Sequence, residues 1–163
     1  MSAPSLSPRM IPPNGSKTGR SLNVVGDTLN VLLDGTDTAG AFALFDAVSP
    51  PRGGPPLHVH HREDEFFFIL EGEAEFMVAG QRSRAGAGTF VAAPREIPHT
   101  FHNPGSTPLH MLIMVRPAGA EKFFEEVSAM TPPGSPPDIA KLSALAQIYG
   151  IDILGPPLAL LPK

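Results

Sequence analysis

The sequence predicts an all-β domain, a sandwich or small barrel, followed by a helical tail. Three observations predict it. From Leu22 to Val115 the chain runs in short β-type segments separated by Gly, Pro, Asn and Asp at near-regular spacing, as antiparallel sheets do and parallel α/β cores do not. Its 20 prolines and 16 glycines gather in clusters, Ser49–Pro56, Thr131–Pro137 and Gly155–Pro162, which read as punctuation between elements. After Pro117 the apolar period changes from alternation to helical spacing.

In chain order, residues 1–20 are rich in Pro, Ser and Gly and are expected to form a disordered arm. Residues 21–117 hold the β-domain, with strands expected at Leu22–Val25, Thr28–Leu33, Ala41–Val48, Leu57–His60, Glu65–Leu70, Ala74–Val78, Arg82–Ala85, Thr89–Ala92, His99–His102 and Leu109–Val115. Gly72 and Gly80 look like the centres of hairpin turns. Residues 118–163 are expected to form a helical extension that packs on the barrel or at a dimer interface. Within it, Gly119–Met130 sets Phe123, Phe124 and Val127 on one stripe. Pro137–Gly150 does the same with Ile139, Leu142, Leu145, Ala146 and Tyr149, starting near Asp138 and stopping at Gly150.

Charge and composition exclude several functions. A net charge of −4, with no basic cluster, argues against a nucleic-acid surface. The longest apolar runs, Phe66–Leu70 and Met111–Val115, are too short to span a bilayer, so no membrane partner is expected. The N-terminal stretch lacks the apolar core of an export signal, which makes the cytoplasm the default location. With no cysteine, disulfides and thiolate metal sites are both ruled out.

Any metal must therefore use histidine nitrogen and carboxylate oxygen, and "HVHHREDEFFFILEG" offers both. Side chains alternate along a strand, so His58 and His60 face one way and Val59 and His61 the other. If "HRED" reverses the chain, Glu65 faces the same space, and Glu63 stands in reserve should the loop register slip. Two imidazoles and a carboxylate form the facial set of non-haem iron sites, which leaves coordination positions open. His99, beyond a proline-bounded turn, supplies a fourth candidate and shares its face with Phe101 and Asn103. His102 and His110 read as structural or surface residues.

Alternation from Glu65 also puts Phe67 and Ile69 in the interior near the metal, with Phe66, Phe68 and Leu70 facing outward against a second sheet or a partner subunit. Phe90, Phe101, Leu112 and Met114 complete the expected pocket wall. Both faces of Leu109–Val115 are apolar, so alternation does not choose between them, and the expectation adopted is that Leu112 and Met114 point inward.

These residues resemble the cupin superfamily. Gly53, His58, His60, Glu65 and Gly72 follow its first motif, with a Gly-to-His spacer one residue shorter than usual. Gly88, Pro94, His99 and Asn103 follow the second; Glu96 stands where that motif has glycine, so its turn is expected to avoid a positive φ. The resemblance covers about Leu22 to Pro117 and implies a double-stranded β-helix of jelly-roll type. It also implies His58, His60, Glu65 and His99 as ligands of one divalent transition metal: iron, manganese, nickel, copper or zinc. The tail further resembles single-domain cupins of the quercetin-dioxygenase-like subgroup. The function expected on this basis is a metal-dependent dioxygenase acting on a small aromatic or enol-type molecule, with Glu65 as ligand or base. The alternatives are a redox-neutral isomerase or lyase and a non-catalytic ligand-binding domain. Outward phenylalanines and open sheet edges lead to the expectation of a homodimer.

Overall fold

The computed structural model describes residues 6–132 and 134–162. The first five residues of the expected arm lie outside these. Within residues 6–20, Lys17 Nζ lies 2.6 Å from both Asp34 and Asp37, and Arg9 reaches Asp37 at 2.6 Å.

Among the described residues, eleven strands form two antiparallel sheets. In order these are β1 (Leu22–Val24), β2 (Asp27–Leu33), β3 (Ala43–Ser49), β4 (Pro56–His60), β5 (Asp64–Glu71), β6 (Glu73–Val78), β7 (Gln81–Gly86), β8 (Phe90–Ala93), β9 (His99–His102), β10 (Leu109–Arg116) and, after two helices, β11 (Ile151–Pro157). One sheet runs β1-β2-β3-β10-β5-β8 and the other β11-β4-β9-β6-β7. Facing each other, they enclose a core of alternating inward residues: Leu29 and Val31, Phe45 and Ala47, Phe67 and Ile69, Met111, Ile113 and Val115. Phe67, Phe76 and Phe101 meet at its centre, with ring centroids 5.0–5.8 Å apart. This is the double-stranded β-helix expected from the sequence.

Local chemistry explains the turns. Ala79 and Gly80 both have positive φ between Val78 and Gln81, the two-residue hairpin loop whose twist matches its strands. Gly72 differs from its expected role. β5 and β6 lie in different sheets, so Gly72 (φ 86°) turns a corner between sheets rather than closing a hairpin. A Cβ there would stand 3.2 Å from the Pro108 carbonyl oxygen, so the crossing has little room for a side chain.

The tail holds α1 (Ala120–Met130) and α2 (Ile139–Ile148). α1 buries Phe123, Phe124 and Val127, and its buried Glu121 accepts from the backbone N–H of Gly35 (3.0 Å) and Gly119 (2.6 Å). Asp138 caps α2 by accepting from Lys141 N–H, and Gly150 ends its turn with φ 72°. Ile139, expected on the buried stripe, is exposed, while Leu142 and Ala146 are buried. Residues 151–157, expected within a helical extension, instead form β11 along β4. Among the described residues no helix is long and apolar enough to cross a membrane.

Candidate metal centre

β4 pairs with β9 so that His58 stands opposite His99, and alternation along β4 brings His60 to the same interior. Glu65 enters from β5 in the opposite sheet. One ligand atom from each of these four side chains lies within 4.8 Å of all the others.

Each imidazole is oriented through Nδ1. His58 donates to the Pro56 carbonyl (2.8 Å), His99 to the Ile97 carbonyl (2.9 Å) and His60 to the Glu63 carboxylate (3.2 Å). All three Nε2 atoms are thereby aimed at Glu65 Oε2, at 3.9 Å from His58, 3.4 Å from His60 and 2.9 Å from His99. An acceptor on Nδ1 that leaves the Nε2 lone pair free is how metal-binding histidines are held. Three such nitrogens and one carboxylate, with no thiolate, suit a borderline divalent ion. The donor set fits a metal.

Electrostatics at the cluster follow from burial and mutual contact. Burial opposes charge on Glu65, but hydrogen bonds from the three histidines outweigh it and hold its carboxyl well below the usual range. Burial also opposes charge on His60, yet Glu63 and Glu65 on either side raise its pKa to about 9. His58, with burial as the main cause and the other imidazoles beside it, is pushed below its ordinary value.

The cluster opens into a cavity of about 80 Å³. Phe67 and Phe101 line it, whereas Ile69 is fully buried in the core and is not part of the wall. Three expected wall residues lie elsewhere. Leu112 and Met114 point to the other face of β10, because pairing Ile113 with Phe67 turns Ile113 inward. Phe90 is 61% exposed: it pairs with Phe68, shares that residue's outward face, and stacks on Phe66 at 6.0 Å.

Glu96 also departs from expectation, with φ 66°. The left-handed conformation is retained without glycine. Its N–H donates to the His60 carbonyl (2.8 Å), and its carboxylate meets His61 Nδ1 (2.8 Å), while His61 Nε2 meets Asp152 (2.9 Å). Both His61 nitrogens are thus occupied outside the cluster. Glu63, expected at a turn or as a reserve ligand, is buried and supports His60.

Sequence reasoning missed Asp27, Phe123, Phe124, Ile151 and Ile153, all on the cavity wall. Asp27 follows Gly26 and reads as a turn residue. The phenylalanine pair was legible as a buried helical stripe, but the surface it would meet was not.

Two antiparallel sheets closed around a His₃Glu cluster define a double-stranded β-helix domain with a candidate mononuclear metal centre. Residues 45–115 match the family model of the cupin domain. An uncharacterized protein of Methanocaldococcus jannaschii is 29% identical over 70 residues, 43% of this chain and 56% of that protein. The chain thus spans little more than half the length of this curated relative. A predicted oxalate decarboxylase from Thermotoga maritima is similar with a TM-score of 0.55 and 24% identity, over 60% of this chain and 90% of that one. KdgF from a Halomonas species is similar with a TM-score of 0.54 and 14% identity, over 60% of this chain and 84% of that one. At such identities these two likenesses show the fold alone.

Proposed function

We propose that this chain is a metal-dependent dioxygenase for a small aromatic or enol-type molecule. The observation that carries the reading is the convergence of three anchored Nε2 atoms and one carboxylate on a largely apolar cavity. His58, His60, Glu65 and His99 would hold the ion. When bound, a redox-active divalent ion supplies open positions for an oxygen-donor substrate and exchanges electrons with dioxygen. The chain's own part is to position and to exclude water. Phe67, Phe101 and Ile113 form an apolar wall, and Glu65, ionised at neutral pH, is the base nearest the ligand atoms. A cavity of about 80 Å³ is far below the roughly 300–1,000 Å³ of drug-sized sites, which favours substrates smaller than a flavonol.

The test is elemental analysis of protein purified without a nickel column, then oxygen uptake with small enols and catechols beside a flavonol. Stoichiometric iron, manganese, nickel or copper with oxygen consumption supports the reading. Stoichiometric zinc without oxygen uptake overturns it in favour of redox-neutral isomerase or lyase chemistry, which a carboxyl group at Asp27 on the cavity wall independently favours. Ligand binding without turnover marks a binding domain.

The working unit proposed is a homodimer. Phe68 and Phe90 are exposed and Phe66 is half-buried on the outer face of β5 and β8, where β8 is a sheet edge. Light scattering that finds a monomer at micromolar concentration refutes it.

A further inference from the structure

Asp27 opens β2, directly after the Val25–Gly26 turn, and its side chain is directed into the interior. It is 6% exposed and lines the same cavity as His58, His60 and Glu65. Three of the metal-site ligands belong to the five-stranded sheet, and Asp27 belongs to the six-stranded sheet facing them. Its surroundings on β1, β2 and α1 are apolar: Val24, Leu29, Phe123 and Phe124. Ser49 Oγ–H donates to Oδ1 at 2.6 Å, and among the described residues no hydrogen bond reaches Oδ2. Ser49 is itself fixed, because the buried Asn103 donates from Nδ2 to its carbonyl at 3.0 Å. Among the described residues this carboxyl group has no ion-pair partner. One oxygen is anchored, and the other is free for a ligand in the cavity.

We propose that Asp27 is the proton carrier of this cavity, taking a proton from a small, enolisable oxygen-donor substrate and returning it later in the cycle. The inference rests on the metal-site reading above. In the forward step a substrate C–H or O–H bond breaks, its electron pair stays on the substrate as the enolate, and a new O–H bond forms at Asp27 Oδ2. Return of that proton to the product restores the carboxylate. Ser49 steadies the charged form by donating to Oδ1. Burial is the cause that raises the Asp27 pKa, to about 7, with the Ser49 bond opposing it, so both forms are present near neutral pH. The other titratable side chains on the cavity wall are His58, His60 and Glu65; β1, α1, β10 and β11 contribute apolar ones.

The test is calorimetric binding of acetylacetone, a small diketone that binds metals as its enolate, to zinc-loaded full-length protein. Measurements in buffers of different ionisation enthalpy count the protons released. At pH 7.5 Asp27 is mostly ionised before binding; the negative enolate beside Oδ2 should raise its pKa and hold the proton there, so the wild type should release clearly fewer protons than Asp27→Asn, which should release about one. Equal release by both proteins overturns the proposal. Zinc that does not load, or acetylacetone that does not bind the loaded wild type, overturns the metal-site reading instead. Should Asp27→Asn fail to fold, Ser49→Ala decides: loss of its hydrogen bond should move the midpoint of proton uptake upward, and an unmoved midpoint refutes Asp27 as the carrier.

Discussion

Replacing Glu63 with Gln tests how the cluster is tuned. The Glu63 carboxylate is buried and accepts from His60 Nδ1 at 3.2 Å, while His60 Nε2 lies 3.4 Å from Glu65. Between these two carboxylates the metal-free imidazole has a pKa of about 9. A metal takes Nε2 only once its proton has left. At pH 7, two units lower, the proton therefore weakens apparent affinity by roughly 100-fold. Glutamine preserves the volume and can still accept from Nδ1–H, but it carries no charge. Two opposing consequences follow. Above pH 9, where no proton competes, loss of the charged support should weaken metal binding about 10- to 100-fold. Near pH 7 the variant's imidazole has less proton to shed, so the gap should narrow. The log of the wild-type dissociation constant should fall by about one per pH unit between pH 7 and 9, and Glu63→Gln should fall less steeply. Competition with a chromophoric chelator across that range measures both slopes. Equal affinities above pH 9 refute the supporting role of Glu63, and parallel slopes refute His60 as the competing proton's holder.

The remaining predictions concern ligands, stability and association. His60→Ala should abolish tight metal binding by elemental analysis while circular dichroism stays that of a folded β-protein; full metal content would refute the ligand assignment. The folded-state pKa of Asp27 is raised from 3.8 to about 7. Its contribution to stability is therefore fully present below pH 3.8 and lost as pH rises through 7. Wild-type protein should lose on the order of 2–3 kcal/mol between pH 5 and 8 through this group, a loss absent from melting curves of Asp27→Asn. Phe124 packs edge-on against Phe45 at 5.3 Å, and Phe124→Ala should cost about 3–5 kcal/mol in denaturant unfolding. Phe90→Glu should convert the proposed dimer to monomer in sedimentation while circular dichroism stays that of a folded β-protein, since Phe90 is exposed and outside the core; a variant that remains dimeric would refute this face as the interface.

Strand existence and type were legible because period-2 alternation and turn residues are local properties of the chain. Three of the four clustered side chains were legible for the same reason: His58 and His60 share a face by alternation, and the turn through "HRED" returns Glu65 to them, whereas His99 was placed by the proline-bounded turn before its strand and by the motif it resembles. What alternation cannot supply is which face points inward when both are apolar. On β10 that choice came from cross-strand register, Ile113 beside Phe67, and on β8 from Phe90 beside Phe68. Residues that reach the cavity from a distance in sequence left no local mark. Asp27 looks like any aspartate after a glycine, and its chemistry comes from Ser49 on the next strand and Phe123 and Phe124 nearly a hundred residues on. Glu96 shows the converse: a local rule disfavours its φ, and bonds to His60 and His61 accompany the conformation it keeps.

The C-terminal strand then acquires a role that its proline-rich sequence conceals. Without β11, β4 would be the edge of its sheet, and β4 carries two of the four ligands. Edge strands are free to fray and slip, and a one-residue slip would turn His58 and His60 away from Glu65. β11 removes that freedom by pairing Ile151 with His60 and Ile153 with His58, while both isoleucine side chains form part of the cavity wall. His61, facing away from the cavity, ties the same two strands together through Asp152. The tail is thus continuous with the metal centre. Its pairing holds the register that points His58 and His60 at the Glu65 carboxylate, and Ile151 and Ile153 add apolar wall beside the place where they meet.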